Sequence, residues 1–156
     1  MAIVELQDLQ NTLKRNERLI GIDLGSKTIG LAISDVLRSV ASPVETLVKG
    51  KFTKDAQKIQ DLIDTEQFGG IVLGLPKEMD GTEGKRCQIT RAFAYNLAGA
   101  IDLPILLWDE RLSTVAVERI LINEADLTRK RRKEVVDRAA AAYILQGALD
   151  ALNHQV

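Results

Sequence analysis

Acidic residues occur at three places in apolar surroundings, where an ionised side chain is costly. Asp23 lies inside the apolar segment LIGIDL, and the pair Asp109-Glu110 ends the apolar segment PILLW. Asp137 begins a helical stripe whose later members are small or apolar: Ala140, Ala141, Ile144 and Leu145. An unpaired buried carboxylate costs several kcal/mol. These acids are therefore candidates for a shared functional site.

Each acid also has an ordinary structural interpretation. Asp23 could cap the turn at Gly25-Ser26, the Asp109-Glu110 pair could order the turn that follows it, and Asp137 could complement the dipole of its helix. Adjacent residues of a strand face opposite sides of a sheet. Only one of Asp109 and Glu110 is thus expected to share a side with Asp23, and the residues alone leave that choice open.

The composition restricts the chemistry that such a site could perform. The chain has one His, third from the C-terminus, and one Cys, Cys87, which excludes a Cys-rich zinc site and argues against a His-based triad. Clustered carboxylates repel one another unless cations offset their charge, and oxygen ligands suit Mg²⁺ or Mn²⁺. We therefore predict a two-ion site that hydrolyses phosphodiester bonds, with the ions about 3.5–4 Å apart.

Cationic and hydroxyl side chains near these acids indicate a phosphate-rich partner. A run of five cations precedes Asp137 and consists of Arg129, Lys130, Arg131, Arg132 and Lys133. Further candidates for contact with a substrate backbone are Gly25, Ser26, Lys77, Arg111 and Ser113. A solvated surface is the alternative for the run, and Arg111 with Ser113 could simply order their turn. Since the formal net charge is −1, any nucleic acid must be bound by such a local patch.

The hydrophobic pattern predicts an α/β fold that brings these residues together. Two strands joined at Gly25-Ser26-Lys27 form a hairpin, and a third strand carries Pro43 and is expected at a sheet edge. Helices and strands then alternate, which predicts a five-stranded mixed sheet, an antiparallel meander followed by parallel strands, with helices on both faces. The predicted strands are 19–24, 28–35, 41–48, 69–76 and 103–110, and the predicted helices are 51–67, 84–100, 113–125 and 134–152.

The domain organisation is simple. Residues 1–18 are predicted to form an N-terminal helical extension outside a single domain at 19–152. A hydrophobic share of 46% indicates a globular chain, and an aromatic share of 4% excludes base stacking as its main binding device. No apolar run reaches the roughly 18 residues that span a bilayer. We expect a cytoplasmic protein with no membrane partner.

Four separated blocks of the chain resemble one known family. These blocks are GIDLGSKTIGLAISD (21–35), IVLGLPKEMDGTEG (71–84), WDERLSTVAVE (108–118) and VVDRAAAAYIL (135–145). In content and order they are similar to the YqgF family, also called RuvX, which comprises pre-16S rRNA nucleases and Holliday junction resolvase-like proteins. The resemblance covers most of residues 19–149.

The resemblance implies an RNase H-like nuclease fold and names a catalytic set. It implies that Asp23, Glu110 and Asp137 are the catalytic metal ligands, which favours Glu110 over Asp109. It also implies maturation of the 5′ end of small-subunit ribosomal RNA, or cleavage of four-way DNA junctions by a homodimer. Two other classes stay open: a nucleic-acid-binding module with an inactive site, and an ATP-dependent phosphotransferase, for which Asp23-Leu24-Gly25-Ser26 would be the phosphate loop.

Overall fold

A six-stranded mixed sheet forms the centre of the protein. The computed structural model describes residues 3–112 and 129–154, and the side chains among these except those of 129–138. The strands are β1 (Ile3–Val4), β2 (Arg18–Leu24), β3 (Thr28–Ser34), β4 (Ala41–Val48), β5 (Phe68–Leu75) and β6 (Ile105–Asp109). The helices are α1 (Leu6–Thr12), α2 (Phe52–Ile63), α3 (Lys85–Ala100) and α4 (Arg129–His154), and a 3₁₀ turn spans Glu110–Leu112.

The order of the strands confirms the predicted meander and parallel half. Across the sheet the order is β1-β6-β5-β2-β3-β4. The pairs β2–β3 and β3–β4 are antiparallel, whereas β2–β5, β5–β6 and β1–β6 are parallel. β4 lies at an edge, where Pro43 removes no hydrogen bond that an interior strand would need. The carboxyl ends of β2, β5 and β6 therefore meet at one edge of the sheet.

The predicted count of five strands was wrong, because β1 adds a sixth. β1 has only two residues, which is too short to produce the alternating pattern that identifies a strand. The capping box between Glu5 and Asp8 then starts α1, so the helix begins after the strand and not at the N-terminus. α1 ends at Thr12, and Leu9 on it is fully buried in the core.

Alternation along β2 divides the core into two layers. Ile20, Ile22 and Leu24 face α2 and α3, where Phe52 and Phe93 pack edge to face with ring centroids 5.7 Å apart. Leu19 faces the other way, toward α1 and α4. Both layers are well buried: Ile20, Ile22 and Leu19 are each 0% exposed.

α4 lies close against the sheet, as its alanine-rich stripe predicts. Ala140, Ala141 and Ala148 are fully buried. A Cβ placed on Gly21 would lie 2.7 Å from the carbonyl oxygen of Ala141, so the helix backbone rests directly on β2. The helix begins at Arg129, earlier than the predicted 134, because the run 129–133 forms its first turns and is not a loop before it. The predicted helix at 113–125 lies outside the described residues.

Candidate active site at the carboxyl ends of the strands

Asp23 lies near the end of β2 on the side that faces α4. It is two residues beyond Gly21, so both point to the same face of the sheet. Gly21 is the residue on which α4 rests. Asp23 itself is half-buried and pairs in register with Gly30 of β3. Its carboxylate is thus directed toward the layer that contains α4.

Glu110 lies over Gly74 on the same side of the sheet. A Cβ placed on Gly74 would lie 2.8 Å from Oε1 of Glu110 and 2.6 Å from Cδ1 of Ile144 in α4. Ile22 pairs with Leu73, so the next residues along the two parallel strands are Asp23 and Gly74. Neighbouring strands are about 4.8 Å apart. The structure therefore brings Glu110 and Asp23 to one corner, and Gly74 is the floor that makes room for Glu110.

Asp109 points to the opposite side and is neutralised. Its Oδ2 accepts a hydrogen bond from Nη2 of Arg111 at 2.7 Å, and its Oδ1 accepts one from the Arg111 backbone N–H at 3.0 Å. The Arg111 guanidinium holds the pKa of Asp109 below its usual value. Nη1 of Arg111 also donates to the carbonyl of Met79 at 3.4 Å. Arg111, a predicted phosphate ligand, thus orders this turn, the alternative considered for it.

Asp137 belongs to α4, whose direction places its first half at the same edge of the sheet. The helix ends near the opposite edge, since Nε2 of Gln10 donates to the carbonyl of Leu152 and Nδ2 of Asn153 donates to that of Arg38. From Ala141 back to Asp137 the helix rises about 6 Å. From Gly21 forward to Asp23 the strand rises about 6.6 Å. The backbone of Asp137 is therefore at about the level of Asp23; its side chain is not among those described.

Of the other predicted substrate ligands, those that the structure describes lie at this edge of the sheet. Gly25 closes the β2–β3 turn through a 2.8 Å hydrogen bond from its N–H to the carbonyl of Thr28, and Ser26 on that turn is exposed. Lys77 is half-buried just after β5 and helps to lower the pKa of Asp109. Ser113 lies outside the described residues, and the side chains of Arg129, Lys130, Arg131, Arg132 and Lys133 are likewise not described.

The sequence patterns did not identify Gly74 as the residue beneath Glu110. Gly74 was quoted only as part of a motif, yet a side chain there would displace Glu110 and Ile144. The available signal was a glycine inside an apolar strand, which often marks a close approach. Across residues 3–112 and 139–154, where side chains are described, no three His, Cys, Asp or Glu side chains form a metal-binding group, and this search did not include Asp137. Within the same part of the chain, no helix is long and apolar enough to cross a membrane.

Comparison with known proteins shows the family of the chain. A model of the family RuvX, described as Holliday junction resolvase, matches residues 17–151. The chain belongs to the RuvX family. As a member of this nuclease family it is a hydrolase that cleaves phosphodiester bonds.

Relatives of the RuvX chain extend over nearly its whole length. A protein from Rhodospirillum rubrum named "Putative pre-16S rRNA nuclease" is 59% identical over 99% of this chain and 96% of its own. A protein of the same name from Paramagnetospirillum magneticum is 59% identical over 96% of each chain. Among solved structures, Thermus thermophilus RuvC in complex with a Holliday junction substrate matches with a TM-score of 0.53 at 12% identity, over 88% of this chain and 96% of that one. The fold is thus the RNase H-like fold of RuvC, as predicted.

Proposed function

We propose that this RuvX-family nuclease depends on Mg²⁺ or Mn²⁺ and processes the 5′ end of pre-16S rRNA. The observation that carries this proposal is the position of the Glu110 carboxylate over Gly74, beside the end of β2 that bears Asp23. The name shared by the full-length relatives supports the choice of ribosomal precursor RNA as substrate.

The donor set fits divalent ions of the magnesium type. Asp23 and Glu110 supply carboxylate oxygens from two elements that meet at one corner, and Asp137 would supply a third carboxylate from the level of α4 nearest to Asp23. Oxygen-only ligands suit Mg²⁺ and Mn²⁺. When bound, such ions supply an activated water and stabilise the leaving oxygen. The chain's own part is to hold these carboxylates close together on rigid elements.

The neighbouring polar groups would hold the RNA backbone. The exposed turn at Gly25 and Ser26 follows Asp23 directly, and Lys77 follows β5 at the same edge. Ser113 and Arg129–Lys133 are proposed to add phosphate contacts from the part of the chain that precedes Asp137. Arg111 would act on the RNA only indirectly, by fixing the turn that carries Glu110.

The second candidate substrate is a four-way DNA junction. The description of the matching family favours it. Cutting both strands of a junction would require a homodimer, whereas trimming an RNA end would not. A cytoplasmic location fits the ribosomal role and follows from the same proposal.

A cleavage assay tests the proposal and separates the two substrates. The purified protein is incubated with a pre-16S fragment carrying its 5′ extension, and separately with a four-way DNA junction, in Mg²⁺, Mn²⁺ or EDTA. We expect cleavage of the RNA at a discrete position, stopped by EDTA and reduced about 100-fold or more in Asp23→Asn, Glu110→Gln and Asp137→Asn. Glu45→Gln, on the exposed edge strand β4, is the matched control and retains full activity.

Two outcomes would contradict the proposal. Cleavage that persists unchanged in Asp23→Asn would remove the assignment of the site. Cleavage of the junction alone, with the RNA fragment intact, would favour the second substrate. Melting curves of each variant establish that loss of activity does not reflect unfolding.

A further inference from the structure

A pocket lies beside the β2–β3 turn, on the side of the sheet opposite to the acids. Its volume is about 170 Å³. It is formed by the end of β2, the turn, the residue after β4 and the first turns of α3. The lining residues used below are Leu24, Gly25, Ser26, Lys49, Arg86 and Ile89. We call it the turn pocket.

The turn pocket is cationic. Lys49 and Arg86 line it, and none of the described lining residues is acidic. Ser26 adds an exposed hydroxyl from the turn. Two positive side chains and a hydroxyl that converge on one small cavity suit a phosphate group, because Arg and Lys donate charge-assisted hydrogen bonds to phosphate oxygens.

Contacts within the fold hold these groups in place. Nη2 of Arg86 donates to the carbonyl of Leu24 at 3.2 Å, which ties α3 to the end of β2. A guanidinium has five N–H donors, so this bond leaves donors for a ligand. The hydroxyl of Thr90, a residue only 1% exposed, donates to the carbonyl of Arg86 at 2.9 Å and fixes the same turn of α3. The N–H of Lys49 donates to the carbonyl of Lys27 at 2.9 Å.

The turn pocket is next to the candidate active site. Asp23 and Leu24 are consecutive residues of β2, so their side chains face opposite sides of the sheet. Asp23 faces the layer of α4, and Leu24 lines the pocket on the side of α3. A strand that passes over the exposed turn at Ser26 would thus meet the acids on one side and the pocket on the other.

We propose that the turn pocket binds a backbone phosphodiester of the nucleic-acid strand, close to the linkage that is cleaved at the acids. This inference rests on the proposed function and adds a second phosphate site to it. Ile89, which is 45% exposed, forms an apolar wall of the pocket. A free phosphate ion gains nothing from such a wall, whereas the sugar attached to a backbone phosphate can pack against it.

The test compares two double variants of equal charge. Lys49→Gln with Arg86→Gln removes both cations of the pocket, and Lys54→Gln with Lys85→Gln removes two exposed cations outside it. Binding of single-stranded precursor RNA is measured by fluorescence anisotropy in EDTA at several salt concentrations. Each lost phosphate contact lowers the slope of log K against log salt by about 0.7 for a single strand, so the pocket variant, which loses its one phosphate, should lose about 0.7 and the control far less.

A second measurement distinguishes a backbone phosphate from a free anion. The amide resonances of Gly25 and Ser26 are followed by NMR during titration with the dinucleotide UpU or with inorganic phosphate. We expect UpU to shift them in the wild type and not in the pocket variant, and inorganic phosphate to bind at least about tenfold more weakly. In the anisotropy experiment, the single variant Arg86→Lys, which keeps the charge, should retain most of the salt slope of the wild type.

Equal salt slopes in the two double variants would overturn the inference, as would equal binding of inorganic phosphate and UpU. Cleavage by the wild type in Mg²⁺ or Mn²⁺ is measured in parallel. Pocket-dependent RNA binding without any cleavage would contradict the proposed function and leave the turn pocket standing. Cleavage by the wild type together with equal salt slopes in the two double variants would support the proposed function and contradict the turn pocket.

Discussion

The guanidinium of Arg111 holds the carboxylate of Asp109 through a 2.7 Å hydrogen bond from Nη2 to Oδ2. This ion pair lies on the side of the sheet away from α4, whereas Glu110, the next residue, lies over Gly74 beside α4. Two consecutive acids thus have different surroundings. Asp109 fixes the turn, and Glu110 is left to the candidate active site.

The ion pair predicts an acid-sensitive contribution to stability. Arg111 lowers the pKa of Asp109 in the folded protein below the ordinary 3.8. A lowered folded-state pKa stabilises the native state above the unfolded-state value, and this stabilisation is lost as the pH falls below 3.8. We expect Asp109→Asn to lower the Tm at pH 6 and to differ less from the wild type near pH 2.5. Melts across this range check it, and a constant difference at all pH values would contradict it.

Substitution of Gly74 distinguishes a loss of core packing from a displacement of Glu110. In Gly74→Ala the new Cβ would lie 2.6 Å from Ile144 Cδ1 and 2.8 Å from Glu110 Oε1. Overpacking of this kind costs about 1–3 kcal/mol, and we expect cleavage to fall as well because Glu110 is displaced. Adding Ile144→Val, which removes Cδ1, should recover part of the stability in urea melts and little of the activity. Full recovery of activity in the double variant would show that Glu110 had not moved.

Gly21 is expected to be the least tolerant glycine on the face that α4 covers. A Cβ there meets the backbone carbonyl of Ala141 at 2.7 Å, so relief requires movement of the helix itself. Gly21→Ala should lower the free energy of unfolding by more than Gly74→Ala. Gly99→Ala is the control: nothing lies within 4 Å of the new Cβ, and a helical Gly-to-Ala change stabilises by about 0.5–1 kcal/mol. If Gly21→Ala and Gly99→Ala changed the free energy of unfolding equally, the close approach of α4 to Gly21 would be contradicted.

Cys87 should be inert in the native protein. It is fully buried, and burial raises the pKa of its thiol, so little reactive thiolate is present. We expect reaction with a thiol reagent such as DTNB to be slow at pH 8 and to become fast in denaturant. Rapid labelling without denaturant would indicate local opening at the start of α3.

The basic run in the first turns of α4 should contribute to nucleic-acid affinity. Changing Arg129, Lys130, Arg131, Arg132 and Lys133 to Gln is expected to weaken binding and to flatten its dependence on salt, because fewer counterions are released. The control of equal charge changes five exposed lysines elsewhere: Lys14, Lys51, Lys54, Lys58 and Lys85. Indistinguishable slopes in anisotropy titrations would mean that the run is a solvated surface.

Local pattern was sufficient to predict most of the sheet. Alternation and the Gly25-Ser26-Lys27 turn predicted the hairpin of β2 and β3, and Pro43 predicted the edge position of β4. The pleat of β6 sets the side that Asp109 faces, whereas Glu110 lies in the 3₁₀ turn beyond the strand, and the residues alone did not say which acid joins Asp23. The structure shows Asp109 on the side of Leu107, where the guanidinium of Arg111 reaches back two residues to it.

Other features depend on contacts between distant parts of the chain and were not predictable. β1 exists because Ile3 and Val4 find partners in Ile105 and Leu106, about a hundred residues later. The contact of Gly74 with both Glu110 and Ile144 requires three elements to meet. The turn pocket joins residues of β2, α3 and the end of β4, which no single sequence segment contains.

The two-residue strand β1 covers part of the outer edge of β6. Ile105 and Leu106 of β6 would otherwise present unpaired backbone groups, a template on which strands of another chain can assemble. The N-terminal segment pairs with these backbone groups, and the buried side chain of Leu9 attaches it to the core. These residues precede the stretch that the family model matches. The short leading segment thus replaces Ile105 and Leu106 with two residues of β1 at the outer edge, on the flank of the sheet that also carries Glu110.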